Sequence, residues 1–144
     1  MSVFAKLRAL SARDRVLLAR AAALQAFVVP AVAATGYGKV RAALGRLCPL
    51  AKTGPRGEAT ERARAVGRIV NAAARRSWPR AKCLERSMVL WALLRREGIE
   101  SRIRFGVKGG AKSPEAHAWV EVAGEPVNDT ADVALRYASL ESPA

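Results

Sequence analysis

A cysteine, a histidine and a carboxylate occur in the order Cys83, His117, Asp129, in a 144-residue chain that holds only two cysteines and one histidine. A thiol attacks an acyl carbon as thiolate, and a free pKa of about 8.5 leaves little of that form at neutral pH. The N-terminus of a helix stabilises the anion through unpaired N–H groups and the helix dipole. A neighbouring imidazole stabilises it as an ion pair and later returns the proton to the leaving amine. A carboxylate on the other ring nitrogen fixes the tautomer and the ring orientation. Cys83, His117 and Asp129 are the residue types for those three roles, in the order of a thiol hydrolase. Asn128 is the neighbouring candidate for orienter, because Cys-His-Asn sets also work; its side chain is expected on the opposite face of its strand.

Each residue alone has a plainer reading. A Cys opening an apolar helix is commonly a small buried hydrophobe, a lone strand His is commonly structural, and Asp after Asn is commonly a turn residue. Cys48 has no acid, base or cap pattern near it and reads as structural. One His and two distant Cys lack zinc-ligand spacing, so neither a metal nor another cofactor is expected.

The candidate residues need elements that hold them. From Cys83 the run Leu84, Met88, Val89, Leu90, Trp91, Ala92, Leu93 and Leu94 is apolar nearly all round, so it predicts a buried central helix. Gly98 is placed to end it, with Arg95 and Arg96 in the last turn. The period then changes to two. Ile103, Phe105 and Val107 alternate with Arg102 and Arg104, and Ala118, Val120 and Val122 alternate with His117, Trp119 and Glu121. Residues 108–115 form the hairpin loop, and Gly124-Glu125-Pro126 turns the chain into a short strand, Val127-Asn128-Asp129. Facing residues of an antiparallel pair share a face of the sheet. Asp129 therefore reaches the His117 face only through an odd-length turn such as Ala123-Gly124-Glu125, or a bulge; a two-residue Gly124-Glu125 turn puts it on the other face.

Upstream the chain reads as helices. Residues 1–29 are helical, with Ser11-Ala12-Arg13-Asp14 in capping-box form, and Leu17, Leu18, Ala21, Leu24 and Val28 on one face. Pro30 is expected to kink or end that stretch. Val40 to Leu47 gives two more turns, and Pro49, Gly54, Pro55 and Gly57 mark a loop. Thr60 is expected to cap a helix running to Arg76, which Trp78-Pro79 breaks. The tail from Ala131 is expected to form a short helix and then fray. The fold class is thus α+β: N-terminal helices, a buried central helix carrying the Cys, and a small antiparallel sheet. Residues 1–58 form a helical N-terminal region and residues 59–144 the core, within one compact domain.

Half the residues are hydrophobic, which excludes a disordered chain. Two cysteines without a secretory signal make no disulfide framework. Arg20, Gln25 and Pro30 interrupt residues 16–35, leaving a charge-free run short of the roughly 20 apolar residues of a span. No stable membrane insertion and a cytoplasmic location are therefore expected. Residues 1–82 carry 17 Lys or Arg against 3 acids, whereas residues 83–144 carry 8 against 9. The excess that makes up the net charge of +13 lies on the preceding helices, a surface that attracts polyanions. No zinc finger, recognition helix or aromatic platform accompanies it, so a basic nucleic-acid-binding module is the weaker alternative.

Residues 83–99, Cys-Leu-Glu-Arg-Ser-Met-Val-Leu-Trp-Ala-Leu-Leu-Arg-Arg-Glu-Gly-Ile, resemble the lasso-peptide leader peptidases, as do Ala116-His117-Ala118-Trp119-Val120-Glu121-Val122 and Val127-Asn128-Asp129. The resemblance covers roughly residues 75–140. It implies a transglutaminase-like, papain-related cysteine protease fold with Cys83, His117 and Asp129 as the triad. It also implies a job: cutting the leader from a ribosomally made precursor so that a partner cyclase can close an isopeptide ring. Some such enzymes carry a β-rich leader-recognition domain; residues before 60 read helical, so a separate recognition protein is expected here. The Cys83 backbone N–H is the expected oxyanion donor. Trp119 and Trp78 are candidates for contact with substrate, although Trp119 suits the core equally. Another transglutaminase-like amide hydrolase or transferase is the alternative that the same triad would serve.

Overall fold

The computed structural model describes residues 2–54, 58–109 and 112–140. Residues 55–57 of the expected loop, 110 and 111 of the hairpin loop and 141–144 of the tail lie outside the described residues. The elements run α1 (Val3–Ala9), α2 (Ala12–Thr35), α3 (Tyr37–Leu47), α4 (Ala59–Ala74), α5 (Cys83–Arg96), β1 (Arg102–Lys108), β2 (Glu115–Val122), β3 (Glu125–Pro126), α6 (Val133–Arg136) and β4 (Ala138–Leu140). This is an α+β fold whose antiparallel sheet has the order β3-β2-β1-β4.

α5 forms where its sequence predicts and is the centre of the molecule. Every residue from Ser87 to Leu94 is buried. Gly98 N–H donates to the Arg95 carbonyl at 3.0 Å and Ile99 N–H to the Leu94 carbonyl at 2.9 Å, which closes the helix with the paired bonds of a glycine C-terminal motif. Arg62 of α4 then grips Glu97 through two bonds of 2.8 and 2.7 Å, fixing α4 along the end of α5.

One core crosses the boundary at residues 58 and 59. Leu17, Ala21 and Val28 of α2 and Val40 and Leu44 of α3 share a buried cluster with α4, α5, Ile103, Val120 and Val122. Ser11 caps α2 by accepting the Asp14 N–H at 3.1 Å. Two expectations change here. The helix does not stop near residue 29: α2 runs through Pro30 to Thr35, so of a kink or an end the proline does not impose the end. Pro30 and Ala26 are exposed, so the Ala26 carbonyl that proline deprives of a donor faces water. Thr60 does not cap α4; it is buried inside the helix, and Glu58 occupies the cap without a side-chain bond.

By length and composition α2 is long and apolar enough to cross a membrane, with a window of mean hydropathy 1.9, so Arg20, Gln25 and Pro30 do not shorten it as expected. In this fold it is also a packed element. Gln25 is fully buried and donates to the Val70 carbonyl of α4 at 3.0 Å.

β1 and β2 pair with Gly106 opposite His117 and Arg104 opposite Trp119. The tail does more than form a short helix: after α6 it adds β4 along β1, with Leu140 opposite Phe105. β1 is thereby an inner strand, and its free edge is covered.

Candidate active site

Cys83 is the first residue of α5 and is half-buried. The first bond from within the helix is Arg86 N–H to the Lys82 carbonyl, at 3.0 Å. The N–H groups of Cys83, Leu84 and Glu85 therefore precede the helical ladder, and Lys82 supplies no side-chain cap. The thiol thus sits where the helix presents unpaired donors and the positive end of its dipole. Cys48, by contrast, is buried in the core beside α3, as a structural cysteine would be.

His117 and Asp129 come together: Nε2 of His117 lies 2.5 Å from Oδ2 of Asp129. How Asp129 gets there is the least regular feature of the fold. Val122 pairs with Glu125 and Glu121 with Pro126, so the turn is the two-residue Ala123-Gly124, both at positive φ (52° and 80°). Continued regularly, that register would set Asp129 opposite Ala118, on the face away from His117. The chain leaves the ladder first. Val127 N–H still donates to the Val120 carbonyl at 2.9 Å. The Val120 N–H, however, donates to the Asn128 side-chain oxygen at 2.8 Å instead of to a strand carbonyl. The break carries Asp129 over to the His117 face, as a bulge would.

α4 and α5 hold that break in place. Asn71 Nδ2 donates to the Asn128 carbonyl at 3.3 Å, and Asn128 Nδ2 to Ser87 Oγ at 3.4 Å. At Gly67 of α4 a Cβ would stand 2.6 Å from the Val127 carbonyl oxygen, so only glycine lets the helix approach so closely. Asn128 therefore fixes the backbone beside Asp129, and Asp129 rather than Asn128 is the residue bonded to His117.

Asp129 is also held from its other side. Its Oδ1 accepts the Thr130 N–H at 2.7 Å and Arg136 Nη2 at 3.2 Å. Burial pushes the Asp129 carboxyl up, but the hydrogen bond and charge of His117 and the bonds from Thr130 outweigh it, holding the group below its ordinary 3.8. An ionised Asp129 accepts, so Nε2 of His117 carries the proton and donates, leaving Nδ1 as the basic nitrogen.

The imidazole is packed as well as bonded. It stacks on Tyr137 at 4.8 Å between ring centroids and 28° between planes, with Trp119 at 6.1 Å. Tyr137 in turn donates its hydroxyl to Glu115 at 3.1 Å. Gly106, opposite His117, makes this possible, since a Cβ there would stand 2.7 Å from Tyr137 Cβ and 2.9 Å from the Trp119 ring.

The two tryptophans expected near substrate differ completely. Trp119 is fully buried against Val133 and Tyr137, with its Nε1 donating to Glu121 at 3.0 Å, so its role is to pack behind His117 rather than to wall a cleft. Trp78 is 91% exposed in the loop before Cys83. Cys83 makes no hydrogen bond to His117 among the described residues. Its helix face is nevertheless turned to the orienting segment, because Ser87, one turn on, reaches Asn128. Reading the sequence missed Thr130, Arg136, Tyr137 and Gly106. A glycine facing the only His within a strand of bulky residues was the one available signal. Among the described residues no group of three His, Cys, Asp or Glu converges as a metal site.

Cys83 heads a buried helix, and His117 on β2 is bonded to Asp129 in the segment after β3; these are the residue types that thiol-dependent amide-bond enzymes use. The family pattern of the transglutaminase-like superfamily matches residues 24–142, and the chain belongs to that superfamily. Membership points to a cysteine peptidase or amide-transferase type of activity. No curated protein and no solved structure matches the chain.

Proposed function

We propose that this protein is a cysteine peptidase that removes the leader from a ribosomally made lasso precursor peptide. The observation that carries the reading is the His117–Asp129 pair beside the helix that begins at Cys83. The lasso assignment is supported by the resemblance of residues 83–99, 116–122 and 127–129 to the leader peptidases. Nδ1 of His117 takes the thiol proton, and the thiolate of Cys83 adds to the scissile carbonyl. The oxyanion is met by the Cys83 backbone N–H. The imidazolium then protonates the leaving amine as the C–N bond breaks. Water, deprotonated by His117, adds to the thioester and releases the acid, and the proton returns to Cys83. No cofactor enters these steps. A separate recognition protein presents the leader, a cyclase consumes the product, and the reaction takes place in the cytoplasm, with α2 as a core helix.

Superfamily membership supports an amide transferase as the second reading. Mass spectrometry of a cognate precursor, incubated with the protein and its recognition partner, separates these readings. Wild type is expected to cut one bond and to add the mass of water across it, and Cys83→Ala to leave the precursor intact. Cleavage by Cys83→Ala at the wild-type rate refutes the thiol mechanism. A product carrying an added amine in place of water assigns the transferase.

A further inference from the structure

A cleft of about 430 Å³ lies directly beside Asp129, between α4, the first turn of α5 and residues 126–130. Three arginines, Arg64, Arg68 and Arg86, line it. The nearby acids are already committed. Glu125 pairs with Arg64 at 2.6 Å, and Asp129 is bonded to His117, Thr130 and Arg136. Among the described residues no carboxylate lies within ion-pair distance of Arg68 or Arg86. The Nε of half-buried Arg86 is itself buried and without a hydrogen-bond partner. A guanidinium N–H removed from water without an acceptor is unfavourable, and an anion relieves it. Arg64 and Arg68 stand four apart on one helix face, and Glu125 neutralises Arg64 alone, which leaves Arg68 without a counter-charge.

The position of the cleft says what the anion belongs to. Arg86 follows Cys83 by three residues, so the two are neighbours on one face of α5. The cleft also shares Asp129 with the His117 pair. A peptide held at Cys83 thus lies within one helical turn of Arg86, which lines the cleft. The guanidinium fork suits the two oxygens of a carboxylate. We propose that this cleft is a specificity subsite that takes an Asp or Glu side chain of the peptide substrate, with Arg68 and Arg86 as its ligands; the word substrate rests on the peptidase reading.

The test is fluorescence anisotropy of fluorescein-labelled hexaglutamate, hexaglutamine and hexathymidylate with the full chain, a binding readout that does not need the thiol. Hexaglutamate is expected to bind the wild type and hexaglutamine not. Against R68Q/R86Q hexaglutamate is expected to bind at least about tenfold more weakly. The R8Q/R15Q control removes the same charge from exposed positions on the N-terminal helices and is expected to bind as wild type does. R68Q alone, on the exposed surface of α4, is expected to weaken binding without disturbing the fold, as circular dichroism reports. Equal weakening by the two double variants reduces the effect to net charge and overturns the proposal. So does hexaglutamate that fails to bind, or a cleft that holds hexathymidylate and not hexaglutamate. If the subsite holds but cleavage survives Cys83→Ala, the mechanism falls and the carboxylate site stands.

Discussion

Asn128→Ala tests the hinge on which the site turns. The Val120 N–H is buried in the centre of β2, and its acceptor is the Asn128 side-chain oxygen at 2.8 Å. Alanine removes that acceptor and leaves two outcomes. Either the N–H stays unpaired, which costs about 1–3 kcal/mol, or the Val127 carbonyl swings back into the ladder to receive it. The second outcome pulls that carbonyl from its seat against Gly67 and lets the chain continue in the register set by Val122 and Glu125. Asp129 then faces Ala118. At this chain length 1 kcal/mol moves the melting temperature by about 2–4 °C, so the first outcome lowers it by roughly 2–12 °C. Both outcomes break or loosen the His117–Asp129 bond. The chain holds one histidine, so any low-field imidazole N–H resonance in the proton NMR spectrum belongs to His117. The expected result is loss of that resonance in Asn128→Ala together with lower stability. Asn128→Asp, which keeps an acceptor oxygen, is expected to retain more of both, and Asp129→Ala provides the spectrum without the bond. An Asn128→Ala protein that melts as wild type does and keeps the resonance refutes the idea that this side chain stands in for a strand carbonyl.

Asp129 gives the stability a pH dependence of known sign. Its carboxyl is held below 3.8, so the folded state binds fewer protons than the unfolded state near that pH. The stabilisation is complete above the unfolded value and is lost as pH falls through the lower folded value. Melting curves taken from about pH 5 down to pH 2 should fall more steeply for wild type than for Asp129→Asn; parallel curves would contradict the shift. Gly106→Ala puts a Cβ 2.7 Å from Tyr137 Cβ, and overpacking of this kind costs about 1–3 kcal/mol. The aromatic stack on His117 is displaced, so thermal melting and the His117 resonance should change together, and an unperturbed resonance would show that Tyr137 does not hold the ring.

What the sequence announced and what it concealed divide along physical lines. α5 was legible because residues apolar all round a helix have nowhere to go but the interior. β1 and β2 were legible because alternation has period two, and the His117–Asp129 pair because an imidazole and a carboxylate close in sequence are natural partners. The end of α2 was misplaced because a helix can run on through a proline on its exposed face, as it does at Pro30. Thr60 misled because a cap residue is recognised by its neighbours, and a threonine is equally at home one position inside a buried helix face. β4 was hidden because three residues, Ala138 to Leu140, carry no period; the open edge of β1 recruits them. Trp119 was ambiguous because alternation gives the face of a strand and not what covers that face. Here Val133 and Tyr137, both beyond the strand pair, cover it.

The placement of Asp129 shows why parity arguments succeed as constraints and fail as constructions. Alternation along β2 and a two-residue turn together require the orienting carboxylate to miss the histidine, so the chain must break the ladder somewhere between Pro126 and Asp129. A break exposes a buried N–H, and a side chain with an acceptor oxygen at the right remove can take it. Asn128 is that side chain, and its own amide and carbonyl are then met by Ser87 and Asn71 from the two helices that flank the sheet. The helix that begins at Cys83 thus helps to set the carboxylate that orients His117, through a hydrogen bond one turn from the thiol. The neighbouring Asn-Asp pair divides the labour. The first residue repairs the strand so that the second can leave it.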